Sequence, residues 1–374
     1  MPPSGIPFEI LEELYLPKSD STLSYGGRIS SKYEQLIDEL EYEALSITQN
    51  LPSDSRANKI GGRTEGLLPS KWRPAGNIQL WDDASSASRP VVGAKVNATR
   101  FFDVVSGLTD NAGNFVCDGE FRYDANYSIK WERADYDIRS QTFGQAIFNG
   151  PNMKGNWNLT ITGGLSRMYA IVHQAAHDYY YGNRLGLKSP PKNGFWNASL
   201  KIAVYDSEND DANGSHCKDC RIFGALPSLY IYNPNRTVDQ IYGTTIHELA
   251  HASHWELRRN NWNENNLELK VAESWARGVQ WALGRLRYLN YRGGQTNRPD
   301  YTQVVVDMVD SPSEDPFNNG AGFPQDQVQG YSMKQIEDVL HNTSSFEIWK
   351  INLQNTYDNP TEANLEALFN FWNQ

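Results

Sequence analysis

The segment TTIHELAHASHW, residues 244–255, constrains the fold of this chain more than any other stretch. It places three histidines and one glutamate within eight residues, although the whole chain has only 7 histidines. Apolar residues recur around the segment at helical spacing and predict a helix over residues 238–258. On that helix His247 and His251 lie one turn apart on the same face.

His247, Glu248 and His251 form the H-E-x-x-H pattern of zinc metallopeptidases. Two histidines at this spacing can each place a nitrogen about 2.0–2.1 Å from one zinc ion. Glu248 is rotated by about 100° from His247. It would lie beside the ion and could take a proton from a water molecule that the ion activates. The alternative is an amphipathic helix with two structurally satisfied histidines and no metal.

A zinc ion held by two histidines needs a third protein ligand, with the fourth position left for water. His254 lies on the same face as His247 but about 10 Å along the axis, too far for both to reach one ion. Glu273 is the better candidate, because it lies on the apolar face of a second predicted helix over residues 271–289. A carboxylate buried there is costly unless a cation compensates its charge.

A strand-rich pattern runs from Trp72 to about Arg139. Its runs are rich in β-branched and aromatic residues and are divided by glycine, asparagine and aspartate. They read GNIQLWDD, VVGAKVNATRFF, GNFVCDGEF and NYSIKWERADYDI. Short, closely spaced strands of this kind predict a small antiparallel β-sandwich over residues 71–139.

The regions on either side of this pattern differ from it. The sequence of residues 1–70 predicts one helix, with a capping box at Ser31 and Glu34, followed by a polar linker. Residues 140–374 predict strands at SLKIAVYD and SLYIYNP among several helices, one of them with a capping box at Ser332 and Gln335. The sequence therefore predicts a multidomain chain: an N-terminal helical segment, a β-sandwich and an α+β, mainly helical domain.

The stretches RPVVGAKV and GLTDNAGNF resemble the carboxypeptidase regulatory-like, transthyretin-like β-sandwich. Its pattern is Pro-x-x-Gly-Ala-x-Val followed by Thr-Asp-x-x-Gly-x-Phe. The matching positions here are Pro90, Gly93, Ala94, Val96, Thr109, Asp110, Gly113 and Phe115. We expect the glycines to supply positive φ angles at turns. Because such domains usually belong to extracytoplasmic proteins, the resemblance implies a secreted, periplasmic or cell-surface location.

The stretches TTIHELAHASHW and ESWARGVQW together resemble the gluzincins, the thermolysin-like clan of zinc peptidases. They are also similar to a group of poorly characterised secreted bacterial zinc peptidases with a β-sandwich upstream. The resemblance implies a zincin-like catalytic domain over residues 140–374 that hydrolyses a protein or peptide substrate. It also implies one Zn²⁺ ion held by His247, His251 and Glu273, with Glu248 as the general base. Thermolysin has an aspartate four residues after its glutamate ligand, but this chain has Arg277, so its ligands must be oriented differently.

Such a mechanism also needs a donor that stabilises the oxyanion. The candidates are Tyr331, which follows the glycine-rich stretch FNNGAGFPQDQVQGY, together with Tyr301 and His341. Of these we assign Tyr331 to the catalytic site. A second pair with one-turn spacing, His173 and His177, lacks an adjacent glutamate and is interpreted as structural or cleft-lining.

Composition excludes some functions and leaves others open. A net charge of -11 argues against nucleic acid as the main partner. No apolar run is long enough to span a bilayer, and MPPSGIPFEILEEL shows no signal peptide, so an extracytoplasmic form would have lost its leader. Cys217 and Cys220 are either a local disulfide or two thiols.

Two other functions compete with peptide hydrolysis. The chain could be a cell-surface binding or adhesion protein that retains zinc but is catalytically inactive. The intact Glu248 argues against this alternative, because an inactive protein does not need the base. Zinc-dependent hydrolysis of a bond other than a peptide bond is the third alternative.

Overall fold

The structure is a computed structural model, and its chain divides into two compact units, Met1–Pro69 and Ser70–Gln374. It describes residues 40, 42–44, 46–48, 69–101, 103–193, 198–210, 212–217, 220, 226–258, 267–293, 299–311, 324 and 326–374. In the first unit, the described residues between 40 and 47 are helical, within the predicted N-terminal helix. The capping box predicted at Ser31 and Glu34 lies outside the described residues.

Two four-stranded sheets account for most of the strands at the start of the second unit. The strands are β1 (Ala75–Asp82), β2 (Ala87–Pro90), β3 (Lys95–Arg100), β4 (Asp103–Leu108), β5 (Asn114–Val116), β6 (Ala125–Lys130), β7 (Tyr136–Ser140), β8 (Gly144–Gln145), β9 (Ile147–Met153) and β10 (Trp157–Ile161). In one sheet β1 pairs in parallel with β10 and antiparallel with β2 and β5. The other sheet is antiparallel, in the order β4-β3-β6-β9.

Buried residues that alternate along the strands form the interface between the two sheets. In β6 every second residue is buried, as expected for a strand with one face against a core. Tyr127 of β6 packs against Trp157 of β10 at 5.3 Å and against Phe115 of β5 at 6.1 Å between ring centroids. These aromatic contacts join the inner faces of the two sheets.

The predicted boundary between residues 139 and 140 does not coincide with a division between sheets. Strand β7 spans it, while β9 and β10 beyond it return to the first two sheets. The sequence of β9, IFNGPNM, contains glycine, proline and asparagine, which are depleted in strands, so its pattern predicts no strand. Pro151 is tolerated because β9 is an edge strand. The parallel pairing of β1 with β10 also departs from the antiparallel prediction.

A third sheet supports the helices. Three further strands, β11 (Leu200–Val204), β12 (Gly214–His216) and β13 (Leu229–Ile231), join β7 and β8 in the order β12-β13-β11-β7-β8. Strands β7, β11 and β13 are parallel, whereas the edge strands β8 and β12 are antiparallel to their neighbours. The described part of the second unit is therefore α+β, with antiparallel and mixed sheets.

The longer helices follow the sequence patterns, whereas the helices over residues 304–309 and 346–356 were not predicted. They are α1 (Gly164–Tyr181), α2 (Val238–Arg258), α3 (Leu269–Arg287), α4 (Val304–Val309), α5 (Met333–Val339), α6 (Phe346–Thr356) and α7 (Leu365–Trp372). The capping box at Ser332 and Gln335 is confirmed at the start of α5. No helix in the described ranges is both long enough and apolar enough to cross a membrane.

Helix α2 occupies the centre of the helical layer, where it packs against α1, α3 and β12. Its apolar side chains Ile246 and Leu249 are fully buried. Gly243 allows the close approach of this helix to the segment after α3, because a Cβ there would lie 1.7 Å from the Tyr291 hydroxyl. That hydroxyl accepts a hydrogen bond of 2.8 Å from Gln280 of α3. These contacts fix the faces that α2 and α3 turn toward each other.

Candidate metal centre

Three potential ligand atoms from α2 and α3 converge on one point. His247 Nε2 lies 3.1 Å from Glu273 Oε2 and 3.1 Å from His251 Nε2. The distance from His251 Nε2 to Glu273 Oε2 is 3.3 Å. Helix α2 supplies the two imidazoles from one face, and α3 supplies the carboxylate from the opposite side.

The spacing of these atoms fits a small divalent cation. Three ligands at 2.0–2.1 Å from a tetrahedral zinc ion are about 3.3 Å apart. Two imidazole nitrogens and a carboxylate oxygen can each donate an electron pair to a shared cation. Among the described residues, this is the one group of three such side chains that could hold a metal ion.

Burial and charge set the protonation of this group. Burial lowers the pKa of His247 to about 4, although Glu273 opposes the change. Burial also disfavours protonated His251, but the adjacent Glu273 carboxylate outweighs it and raises the pKa of His251. Burial would raise the pKa of Glu273, yet the two histidines hold it well below its usual range. The carboxylate and the His247 ring are therefore in the deprotonated forms that metal binding requires.

Glu248 is 5% exposed and is not one of the three converging ligands. Burial raises its pKa to about 7. Its carboxylate lies next to the backbone of β12, because a Cβ on Gly214 would be 2.9 Å from Glu248 Oε1. The absence of a side chain at Gly214 therefore leaves room for the glutamate beside the histidines.

A cleft of about 570 Å³ opens beside His247 and Glu248. One wall follows α2 at intervals of one turn, and the opposite wall belongs to α3 and the segments after it. The lining residues are Ala212, Asn213, Gly214, Arg236, Asp239, Gln240, Thr244, His247, Glu248, Arg277, Gln280, Asn290, Tyr291, Arg292, Gly293 and Tyr301. The site thus combines a possible metal ligand set, a buried carboxylate and an accessible cleft.

The three candidates for the oxyanion donor occupy different places. Tyr301 lines the cleft, and the Arg277 guanidinium lies 5.0 Å from its ring centroid. Tyr331 is buried and outside the cleft lining, and its hydroxyl has no hydrogen-bond partner among the described residues. His341 Nδ1 bonds to the Leu257 carbonyl at 2.8 Å. The structure therefore brings Tyr301, rather than the assigned Tyr331, to the same cleft as Glu248.

The remaining histidines lie outside the ligand group. His254 is buried and takes no part in it. His173 bonds to Tyr136 Oη at 3.1 Å through Nδ1 and to the Val92 carbonyl at 3.0 Å through Nε2. Because both of its ring nitrogens bind structural partners, His173 stabilises the contact between α1 and the strands.

Sequence reasoning missed His216. Its ring stacks on that of His251, with centroids 6.5 Å apart and planes 10° from parallel. Only the pairing of β12 with β13 brings His216 to this position, and no spacing within the sequence indicates it. Directly after β12, Cys217 and Cys220 form a disulfide, which is one of the two alternatives that the sequence left open.

No protein-family model matches this chain, and comparison with curated proteins finds no match.

Proposed function

We propose that this chain is a zinc-dependent peptidase of the gluzincin type, with one Zn²⁺ ion held by His247, His251 and Glu273. The observation that carries the proposal is the convergence of the three ligand atoms, 3.1–3.3 Å apart, beside a cleft that Glu248 also lines. A zinc ion bound there supplies a Lewis acid for the scissile carbonyl and activates a water molecule.

Glu248 is the general base in this proposal. It follows His247 directly and lines the same cleft, so its carboxylate can take the proton from the attacking water. The same carboxyl group can then deliver this proton to the nitrogen of the leaving amine.

Tyr301 is the proposed oxyanion donor in place of Tyr331. Its phenol lines the cleft with Glu248. Burial and the nearby Glu273 carboxylate raise the pKa of Tyr301, so the hydroxyl keeps the proton that it must donate. A neutral phenol aimed at the developing negative charge stabilises the transition state more than the substrate.

The proposal also includes the identity of the two domains and the cellular location of the protein. The face-to-face sheets around Tyr127 support a carboxypeptidase regulatory-like β-sandwich, as do the positive φ angles of Gly93 (74°) and Gly113 (80°). The pairing of α2 with α3 supports a zincin-like catalytic domain. The disulfide of Cys217 and Cys220 supports an extracytoplasmic location, because disulfides persist in oxidising compartments.

The proposal is tested by hydrolysis of a denatured protein mixture with zinc-loaded protein, using Glu248→Gln as the matched variant. We expect the wild type to release new amino termini and a chelator to abolish the activity. Glu248→Gln should keep the metal and lose about 10²–10⁴-fold in rate. If zinc-loaded wild type cleaves nothing, the proposal fails and the zinc-retaining binding protein becomes the better account. Product analysis separates peptide hydrolysis from cleavage of other bonds.

A further inference from the structure

The lining of the cleft beside the candidate metal centre contains more arginines than acidic residues, although the protein as a whole is acidic. Arg236, Arg277 and Arg292 line it, whereas its acidic lining residues are Asp239 and Glu248. The chain as a whole carries a net charge of -11. Guanidinium groups on the walls of a concave site attract anions locally, even where the distant surface repels them.

Arg277 lies on the same helix as the candidate ligand Glu273. It follows Glu273 by one helical turn on α3, which is about 6 Å along the axis. Arg277 also lines the same cleft as His247 and Glu248.

The contacts of Arg277 orient its planar head group. The guanidinium stacks on Tyr301 with its carbon 5.0 Å from the ring centroid, and Nη1 donates to Gln280 Oε1 at 3.4 Å. A guanidinium held in a fixed plane is well suited to a carboxylate, which it can bind through two parallel hydrogen bonds.

Arg236 is farther from the candidate ligands on α2. Arg236 lies two residues before α2 begins at Val238, and Val238 is about 15 Å along the helix axis from Glu248. An extended peptide advances about 3.3 Å per residue, so this distance corresponds to about five residues. Arg277 is therefore placed to contact a group near the cleaved bond, whereas Arg236 can contact only the flank of a substrate.

We infer that the cleft selects peptides with a carboxylate within about two residues of the cleaved bond, and that Arg277 binds this carboxylate. The inference rests on the proposed function for the position of the cleaved bond. The carboxylate can belong to an aspartate or glutamate side chain or to a free C-terminus, and both present the same planar anion to the guanidinium.

Binding to the Glu248→Gln protein, loaded with zinc and followed by isothermal titration calorimetry, tests the inference without requiring turnover. Three peptides of equal length are compared: one with an internal glutamate and blocked ends, its glutamine counterpart, and the glutamine peptide with a free C-terminus. We expect at least one carboxylate peptide to bind about 10-fold more tightly than the blocked glutamine peptide. The peptide that shows the preference identifies the source of the carboxylate.

Arg277→Gln, added to Glu248→Gln, should abolish this preference, and Arg277→Lys should restore part of it. Arg285→Gln is the matched control, because Arg285 is an exposed arginine of α3 that stacks on Trp281 outside the cleft lining. The preference should persist in this control. Zinc content is measured for each variant to show that the ligand group is intact.

Equal binding of all three peptides, no binding of any, or a preference that survives in Arg277→Gln would overturn the inference. If the Arg277 variants do not fold, the test is the salt dependence of the carboxylate preference in the Glu248→Gln protein, which retains Arg277. The preference should fall several-fold between 0.05 and 0.5 M NaCl, and an unchanged preference would overturn the inference. A carboxylate preference without hydrolysis by the wild type would instead refute the proposed function alone.

Discussion

Individual side chains determine whether the site holds a metal, and Glu273 is the candidate ligand that α3 supplies. Its oxygen closes the triangle with the two histidine nitrogens, at 3.1 and 3.3 Å. Removal leaves two ligands on one helix face, fewer than a stable zinc site requires. We expect metal-stripped and re-equilibrated wild type to hold one zinc ion per chain and Glu273→Ala to retain much less, as measured by elemental analysis. Equal zinc in both proteins would move the third ligand to another residue.

The position of Tyr301 predicts a kinetic effect that is separate from metal binding. We expect Tyr301→Phe to lower kcat by about 10²-fold, with zinc content unchanged, because removing one oxyanion donor costs about this much. Tyr331→Phe is the informative comparison, since that hydroxyl lies outside the cleft lining. Steady-state kinetics on one peptide decides between the two tyrosines. A large loss in Tyr331→Phe with none in Tyr301→Phe would reverse the assignment.

At the residue scale, the sequence predicts the positions of residues that are close together on one helix better than those of residues on separate segments. Helical spacing alone places His247 and His251 on one face, and Glu248 follows from the motif. Glu273 needed a second argument, the cost of an isolated carboxylate on an apolar face. The sequence included Tyr301 among three candidate donors but could not favour it over Tyr331, and it missed His216. The positions of Tyr301 and His216 depend on how the segment after α3 and β12 pack against α2.

Helix α5 contains a buried carboxylate, Glu337, that makes the free energy of unfolding of the protein depend on pH. Both oxygens of Glu337 accept the Lys188 backbone N–H, at 3.0 and 2.8 Å. Burial raises the pKa of Glu337 from 4.5 to about 7, although this hydrogen bond opposes the change. Between these two values the folded state binds more protons than the unfolded state. The contribution of Glu337 to the free energy of unfolding therefore falls as the pH rises from about 4.5 to 7.

We expect Glu337→Gln to remove this contribution, because glutamine keeps the carbonyl acceptor but does not ionise. Relative to wild type, the variant should gain stability by roughly 3 kcal/mol between pH 4.5 and 7.5. Urea denaturation across this pH range measures the free energy of unfolding of both proteins. Parallel curves for the two would show that Glu337 does not titrate in this window.

Among the elements, helices were predicted more accurately than strands. Helix α2 has the predicted bounds, and α3 begins and ends two residues earlier than predicted. An amphipathic helix shows its periodicity over many turns, so its pattern is robust. Strand β9 has glycine, proline and asparagine at an exposed edge, and its identity as a strand comes from pairing with β6. No local pattern carries that information.

The whole second unit depends on pairings across the predicted domain boundary. A fragment of residues 140–374 would contain β9 and β10 without β6 and β1, their partners. It would also lack most of β7, which pairs with β11 in the sheet beneath the helices. We therefore expect this fragment to unfold without cooperativity or to aggregate, whereas a fragment of residues 70–374 should unfold cooperatively. Circular dichroism during thermal denaturation measures the difference.

Full-length protein is the control for both fragments. A cooperative transition in the 140–374 fragment would show that the predicted boundary separates two independent folding units after all. The sequence could not predict this dependence, because it arises from contacts between residues that are far apart in the chain.

The parallel pairing of β1 with β10 also has a consequence for biosynthesis. About 75 residues separate the end of β1 from the start of β10. A ribosome adding about 5–20 residues per second needs about 4 to 15 s to produce them. During this interval the edge of β1 that β10 will cover has no partner, and an open strand edge is prone to pair with other chains. The yield of folded protein should therefore depend on how quickly this stretch is translated and on chaperones that cover the edge meanwhile.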